Sequence, residues 1–273
     1  MRWDASWSAI GSESAMDRHV PADLGIVGVG AIAEAIVTGL CGAEDNATSI
    51  HLSPRSAERA SRLAARYPSV HVADGNQSVV DRADVVLLCV RPQDAPAVLS
   101  DVAFRAEQVV VSVIAAVSID ALRALVAPAE VLVRAIPLPA VARRAGLTAI
   151  YPRHEVASAI FDPLGGVIAV EEERALDALS AATATIAAHL AYLDTISRWV
   201  AERGVPRTDA TRYVTAVFGS LLATRPDDFS TLADEYATAG GINEQFLAAL
   251  RRAGVFDVVD RALDDVADRL QDD

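Results

Sequence analysis

The first chemistry in this chain is carried by two glycines and an alanine, Gly28-x-Gly30-x-x-Ala33. They are entered from the apolar run Leu24 to Val27 and followed by a helix-like run to Leu40. Strand, tight turn and helix in that order make the setting a dinucleotide fingerprint requires. Gly28 is expected to form the turn, Gly30 to admit a pyrophosphate close to the backbone, and Ala33 to let the helix pack tightly on its strand. The phosphates would rest on the free N–H groups at the helix start, around Ala31 and Ile32.

The next strand, Ser49-Ile-His-Leu52, points to the kind of nucleotide. A site for NAD usually ends this strand in Asp or Glu, which holds the ribose 2′-OH. Here the place is taken by Ser53, with Arg55 two residues on. A hydroxyl and a guanidinium suit a 2′-phosphate, since arginine pairs with phosphate through two charge-assisted hydrogen bonds. NADP(H) is therefore the expected cofactor, with NAD(H) second. The alternative is that Arg55 and Ser56 merely open the next helix on a solvated loop.

These residues need a doubly wound α/β frame, and up to about residue 150 strands and helices alternate as that frame demands. Ala57, Ala60, Leu63, Ala64 and Tyr67 mark one helix face. Val70–Val72 reads as a short strand. Asp84–Val90, Val109–Ile114 and Val131–Val133 read as further strands, the first apolar on both faces like a buried parallel strand. Thr148–Tyr151 is a late strand, and Ser118 is placed to cap the helix from Ile119. From Glu171 onward no strand is expected. The chain reads there as alanine- and leucine-rich helices over 172–188, 189–203, 208–223, 228–238, 243–253 and 255–270, punctuated by Gly204-Val-Pro206, Arg225-Pro226 and Gly254. Helices so apolar need a partner surface, which a dimerising bundle provides. The expected fold is a Rossmann doubly wound sheet over residues 23–165, then an all-helical dimerisation and substrate domain over 166–273. Residues 1–22 read as a flexible extension.

Composition narrows the chemistry. The 273 residues carry a net charge of −13, which argues against binding to nucleic acid or to anionic membranes. All 24 basic residues are arginine, so lysine Schiff bases, P-loop lysines and lysine acid/base catalysis are excluded. Cys41 and Cys89 read as core thiols, and the five histidines lack metal-ligand spacing, so no metal is expected. No uninterrupted apolar run of about 18 residues occurs, so no membrane span is expected. The start of the chain lacks a signal-peptide pattern, and a cytoplasmic location follows as the expectation.

Taken together, the segments resemble the pyrroline-5-carboxylate reductase family over residues 24–270. Beyond the glycine fingerprint, the resemblance rests on Asp74-Gly-Asn76 ahead of Val79–Asp84, and on Val90-Arg91-Pro92-Gln93, close to the family's Val-Lys-Pro-Gln. It continues through Ser112-Val-Ile-Ala115-Ala116-Val-Ser118, Arg134-Ala-Ile136-Pro137, Leu164-Gly-Gly166 with Glu171-Glu172, and Asp234-Glu235 with Gly240-Gly241. It implies cofactor contacts at Asn76, Val90, Arg91, Pro92 and Ala115. It also implies a substrate site between domains at Ala116, Ile136, Pro137, Gly240, Gly241 and Asn243.

The departures fall at the substrate end. Leu138-Pro139-Ala140 stands for the family's Asn-Thr-Pro, and Ala182–Ala188 for its Ser-Gly-Ser-Gly-Pro-Ala-Tyr. Ile242-Asn243 stands for the two threonines that help hold the substrate carboxylate. Gly240-Gly241 still precedes a helix whose start favours an anion. Asn243 either binds that anion or caps the helix.

The reaction so implied is hydride transfer from NADPH to a small cyclic imine carboxylate. A protonated imine is already electrophilic, so a chain without lysine suffices. The β-hydroxyacid dehydrogenases share the layout but use a catalytic lysine. No catalytic residue is assigned; Asp194 aligns near an acidic family position but reads as a solvated helix residue. The expected partners are the imine and a second copy, as a homodimer or larger homo-oligomer. Three alternatives stay open: a different imine, a deazaflavin in place of NADPH, or a non-catalytic NADP-binding sensor or assembly protein.

Overall fold

The computed structural model describes residues 21–42, 48–223 and 228–272. Most of the extension expected over residues 1–22, and the Arg225-Pro226 punctuation, lie outside the described residues. The chain divides into two compact units, one running to Asp177 and one from Ala178 to Asp272.

The first unit is built on one eight-stranded sheet. Its strands are β1 (Asp23–Val27), β2 (Ser49–Leu52), β3 (Val70–Val72), β4 (Val85–Leu88), β5 (Val109–Ser112), β6 (Val131–Ile136), β7 (Thr148–Tyr151) and β8 (Val167–Ala169). The order across the sheet is β3-β2-β1-β4-β5-β6-β7-β8, with β7 antiparallel to β6 and every other neighbouring pair parallel. The order reverses between β1 and β4, the switch point at which open α/β sheets bind ligands beyond the strand ends.

Helices α1 (Ala31–Cys41), α2 (Ala57–Arg66), α3 (Asn76–Asp81), α4 (Ala95–Leu99), α5 (Ile119–Val126) and α6 (Glu155–Phe161) cover both faces. Side chains alternate across each strand. Val85 and Leu87 join Leu24, Ile26, Ile50 and Leu52 in one core cluster with α1, α2 and α6. Val86 and Leu88 join Val27, Val110 and Leu132 in the other, with α3, α4 and α5. In α1 the buried stripe is Ala33, Ile36, Val37 and Leu40, at helical spacing. Ser118 caps α5 as expected, its hydroxyl accepting from the Ala121 N–H at 3.2 Å.

Some elements depart from the sequence reading. β8 lies beyond the last strand expected; at three residues, with Ile168 exposed, it is too short and too open to show an alternating pattern. The first helical boundary falls at Ala184 rather than after residue 188. No proline or glycine marks that break, and α7 (Glu173–Thr183) passes directly into α8 (Thr185–Ala201).

The second unit holds the end of α7, then α8, α9 (Arg207–Ala223), α10 (Phe229–Tyr236), α11 (Ile242–Arg252) and α12 (Val255–Asp272). α8 packs on α9, where Ser197, Ala210 and Val214 are buried and His189, Tyr192 and Phe218 form a ring cluster. Much of its apolar surface is open: Leu190, Trp199, Tyr213, Phe229, Ile242 and Phe246 are all exposed. Glu173–Ala201 is long and apolar enough to cross a membrane by length and composition, and 17% of its most apolar window is buried.

Candidate functional site

The cofactor candidates follow the carboxyl ends of β1, β2, β3, β4 and β5, and the substrate candidates of the first unit those of β5 and β6. Gly28 follows β1 with φ +93, and a Cβ there would meet Val90 Cγ1 at 2.7 Å and the Cys89 carbonyl oxygen at 2.8 Å. Only glycine fits, both for the left-handed backbone and for the space. Gly30 is the N-cap of α1, and a Cβ built on it meets nothing within 4 Å. The helix start therefore opens onto free space lined by its own N–H groups, a cradle that fits a pyrophosphate. Ala31 is exposed, Ile32 is half-buried and Ala33 is buried against the sheet.

Ser53 is fully buried, and its Oγ accepts from the Gly28 N–H at 2.9 Å. Its place in the geometry is to tie the end of β2 to the glycine turn. Arg55 is exposed at the loop that follows. Two further arginines stand on α2. Arg59 donates from Nη1 to the Val29 carbonyl at 3.2 Å, inside the fingerprint. Arg59 Nε lies 2.8 Å, and Arg62 Nη2 2.6 Å, from the two carboxylate oxygens of Glu34 on α1. The hydrogen bond from Arg62, joined by the charges of both arginines, holds the Glu34 carboxyl below its ordinary value. Ser56, Glu58, Arg59 and Arg62 line a polar cavity of about 380 Å³ here. Arg59 lies one helical turn beyond Arg55 in the sequence, a spacing that was the available sign of this second cation.

Asn76 starts α3 behind Gly75 and is half-buried. Val90 packs on the Gly28 turn, while Arg91 and Pro92 are exposed on the loop beyond β4. Arg91 Nε pairs with Asp94 at 2.8 Å. That hydrogen bond, with the charges of Arg91 and Arg55, holds the Asp94 carboxyl below its ordinary value. The fields of the β2 and β4 loops thus overlap at Asp94. Cys89 beside them is buried, and burial pushes its thiol up to about 12, an inert core group.

Beyond β5, Ala115 is exposed and Ala116 stands at φ +56, a left-handed conformation uncommon for any residue but glycine. Ile136 ends β6 half-buried, and Pro137 is buried. Arg134, on β6, is 5% exposed and faces Glu173 and Asp177 of α7. A charge inside the apolar run Val131–Ile136 was the available sign of that buried pairing.

The second unit holds the remaining candidates. Gly240 has φ +75, and its N–H donates to Glu244 Oε2 at 2.7 Å. Gly241, not Asn243, is the N-cap of α11, and no side chain caps the helix. Asn243 is the second helical residue, exposed and lining a largely apolar cleft of about 790 Å³ with Tyr192, Tyr236, Phe246 and Phe256. Asp194 is exposed and paired with Arg207 of α9. Among the described residues no group of three or more His, Cys, Asp or Glu is placed to hold a metal ion.

Comparison with known proteins divides along the same line. A family described as NADP oxidoreductase, coenzyme F420-dependent, matches residues 23–116, and one described as pyrroline-5-carboxylate reductase dimerisation matches residues 173–272. The pyrroline-5-carboxylate reductase of Corynebacterium melassecola is 29% identical over 265 residues, covering 91% of this chain and 97% of that protein. The solved 1-pyrroline-5-carboxylate reductase of Streptococcus pyogenes shares the fold with a TM-score of 0.78 at 24% identity, covering 92% of this chain and 98% of the other. The Plasmodium falciparum pyrroline carboxylate reductase, solved with NADP bound, gives 0.75 at 17% identity over 91% and 97%. The dimerisation match sets this chain apart from other owners of a glycine fingerprint. An open glycine cradle on a doubly wound sheet, followed by a helical half that matches the pyrroline-5-carboxylate reductase dimerisation family, makes the chain an NAD(P)H-dependent oxidoreductase similar over nearly its whole length to pyrroline-5-carboxylate reductases.

Proposed function

We propose that this chain reduces pyrroline-5-carboxylate to proline with NADPH. The observation that carries the reading is the near end-to-end match to a reductase of that name, across both the fingerprint and the helical half. When bound, NADPH supplies hydride to the imine carbon, and the protonated imine nitrogen ends as the amine. The protein's share is alignment and charge. Gly28, Gly30, Ala31, Ile32 and Ala33 hold the pyrophosphate, with Asn76, Val90, Arg91, Pro92 and Ala115 around the nucleotide. Arg55 receives the 2′-phosphate. Arg59, held by Glu34 and bonded to Val29, adds a second cation at the same rim. Ser53 contributes by fixing the turn.

The sheet-bearing unit that runs to Asp177, beyond the boundary expected at residue 165 because β8 extends the sheet, is the cofactor-binding part, and the helices from Ala178 on are the part whose exposed apolar faces on α8 to α12 pair two copies in the cytoplasm. Ala116, Ile136 and Pro137 take the ring. Gly240, Gly241 and Asn243 take the carboxylate.

A second reading keeps the reaction and changes the imine. Its support is Ile242-Asn243 in place of two threonines, and the Glu244 carboxylate already seated on the Gly240 N–H. The test is NADPH oxidation by the purified protein with pyrroline-5-carboxylate, beside NADH and a larger cyclic imine. Turnover of the five-membered acid, faster with NADPH, is expected. Turnover of only the larger ring moves the substrate. NADPH binding with no turnover of either ring leaves a sensor and overturns the proposal.

A further inference from the structure

A buried charge must be paired, and Arg134 is paired twice. Its Nη1 lies 2.7 Å from Glu173 Oε1 and its Nη2 3.0 Å from Asp177 Oδ1, with the arginine side chain 6% exposed. The two carboxylates do different work. Among the described residues, Asp177 pairs with the arginine alone. Glu173 Oε1 also accepts the Ile119 N–H at 2.8 Å, one of the N–H groups at the start of α5 that the helix itself leaves unpartnered. One carboxylate oxygen therefore joins the middle of β6 to the start of α5.

Both ends of that tie lie close to candidate site residues. Arg134 stands two residues before Ile136 on β6, and Ile119 three residues after Ala116. The β5–α5 loop is pinned elsewhere as well: Ser112 Oγ accepts from the Ile114 N–H at 3.2 Å, and Ser118 caps α5. Between the pins Ala116 is held at φ +56. A strained residue persists only where its surroundings over-determine it. We infer that Glu173 is a positioning residue, which sets the β5–α5 loop against the end of β6 so that Ala115–Ala116 and Ile136–Pro137 face nicotinamide and imine in one geometry. The inference rests on the function proposed above.

The contrast between the two acids supplies the test. Glu173→Ala, Glu173→Gln and Asp177→Asn are compared with the parent for kcat and KM with pyrroline-5-carboxylate, NADPH affinity by fluorescence, Tm, and hydrogen exchange over residues 113–122. Glu173→Ala is expected to lose at least tenfold in kcat and to lose protection at Ile119, with NADPH affinity within about twofold. Glu173→Gln keeps an acceptor for Ile119 and recovers most of both. Asp177→Asn lowers Tm yet leaves kcat and exchange near the parent's. Equal losses in Glu173→Ala and Asp177→Asn would show plain structural support and overturn the inference, as would a Glu173→Ala protein with parental kcat. Should the parent turn over no imine, the proposed function fails on that arm alone. The exchange comparison still decides whether Glu173, and not Asp177, holds the loop.

Discussion

Two helices of this protein begin in nearly the same way and present opposite faces to an anion. α1 starts behind Gly28 at φ +93 with Gly30 as its N-cap; α11 starts behind Gly240 at φ +75 with Gly241 as its N-cap. Each has a glutamate in its first turn, Glu34 and Glu244. Glu34 is drawn onto α2 by Arg59 and Arg62, which leaves the N–H groups of α1 facing open space. Glu244 has no ion pair among the described residues and folds back onto the Gly240 N–H. A helix start attracts any carboxylate within reach, its own included. Whether the start is free for a ligand is decided by whether arginines are present to hold that carboxylate elsewhere.

The sharpest break in this comparison comes from the glycines of α1. Gly28→Ala puts a methyl into the Cys89 carbonyl and forces a left-handed alanine, so a loss of about 3 kcal/mol is expected, read by denaturant titration. Gly30→Ala meets no atom of the protein, and its backbone suits any residue. Its Tm should stay within a few degrees of the parent's while NADPH affinity falls at least tenfold, because the methyl occupies the approach of the phosphate. If Gly30→Ala binds NADPH normally, the open space at α1 is not a phosphate cradle.

Next in size are the arginines. Arg55→Ala and Arg59→Ala should each raise KM for NADPH by about tenfold, from the loss of a charge-assisted hydrogen bond, and leave KM for NADH nearly unchanged. Glu34→Gln frees both arginines from their anchor and should weaken NADPH by a smaller factor. Parallel losses for NADPH and NADH would mean that these side chains support α2 and do not read the 2′-phosphate.

The α1 region was readable in advance because its demands are local. A left-handed turn, a close backbone approach and a tight helix contact each select a small residue at a set spacing, so Gly28, Gly30 and Ala33 announce themselves. The α/β alternation was readable for the same kind of reason: burial on both faces writes runs such as Val85–Leu88. What escaped depends on partners distant in the chain. Arg59 is an ordinary helix arginine until Val29 and Glu34 are placed beside it, and Glu173 sits in a run of three glutamates until Ile119 and Arg134 reach it. The type of Asn243 suited a cap and an anion ligand equally, and the cap falls away because the backbone turns two residues earlier, at Gly241.

The α11 start sharpens the comparison from the other side. Glu244→Gln removes the competing charge and weakens the hold on the Gly240 N–H. If this loop takes the substrate carboxylate, KM for pyrroline-5-carboxylate should fall about threefold, in line with roughly 0.3–1 kcal/mol for a charge near a helix end, with NADPH affinity unchanged. An unchanged KM would assign the carboxylate to other groups and favour a different imine.

The smallest effect concerns a left-handed turn made without glycine. Ala116 holds φ +56, a conformation that costs alanine roughly 1–2 kcal/mol, whereas glycine adopts it freely. Ala116→Gly relieves that cost but gives the unfolded chain more freedom, worth about 0.4–1 kcal/mol against folding. The net expectation is a gain of about 0.5 kcal/mol, a rise in Tm of about 1–2 °C. Activity decides what the alanine is for. If the strained turn is held in one geometry by Glu173, the glycine variant should be slightly more stable and equally fast, because the pins still set the loop. A variant that is more stable but several-fold slower would show that the methyl itself packs against nicotinamide or ring.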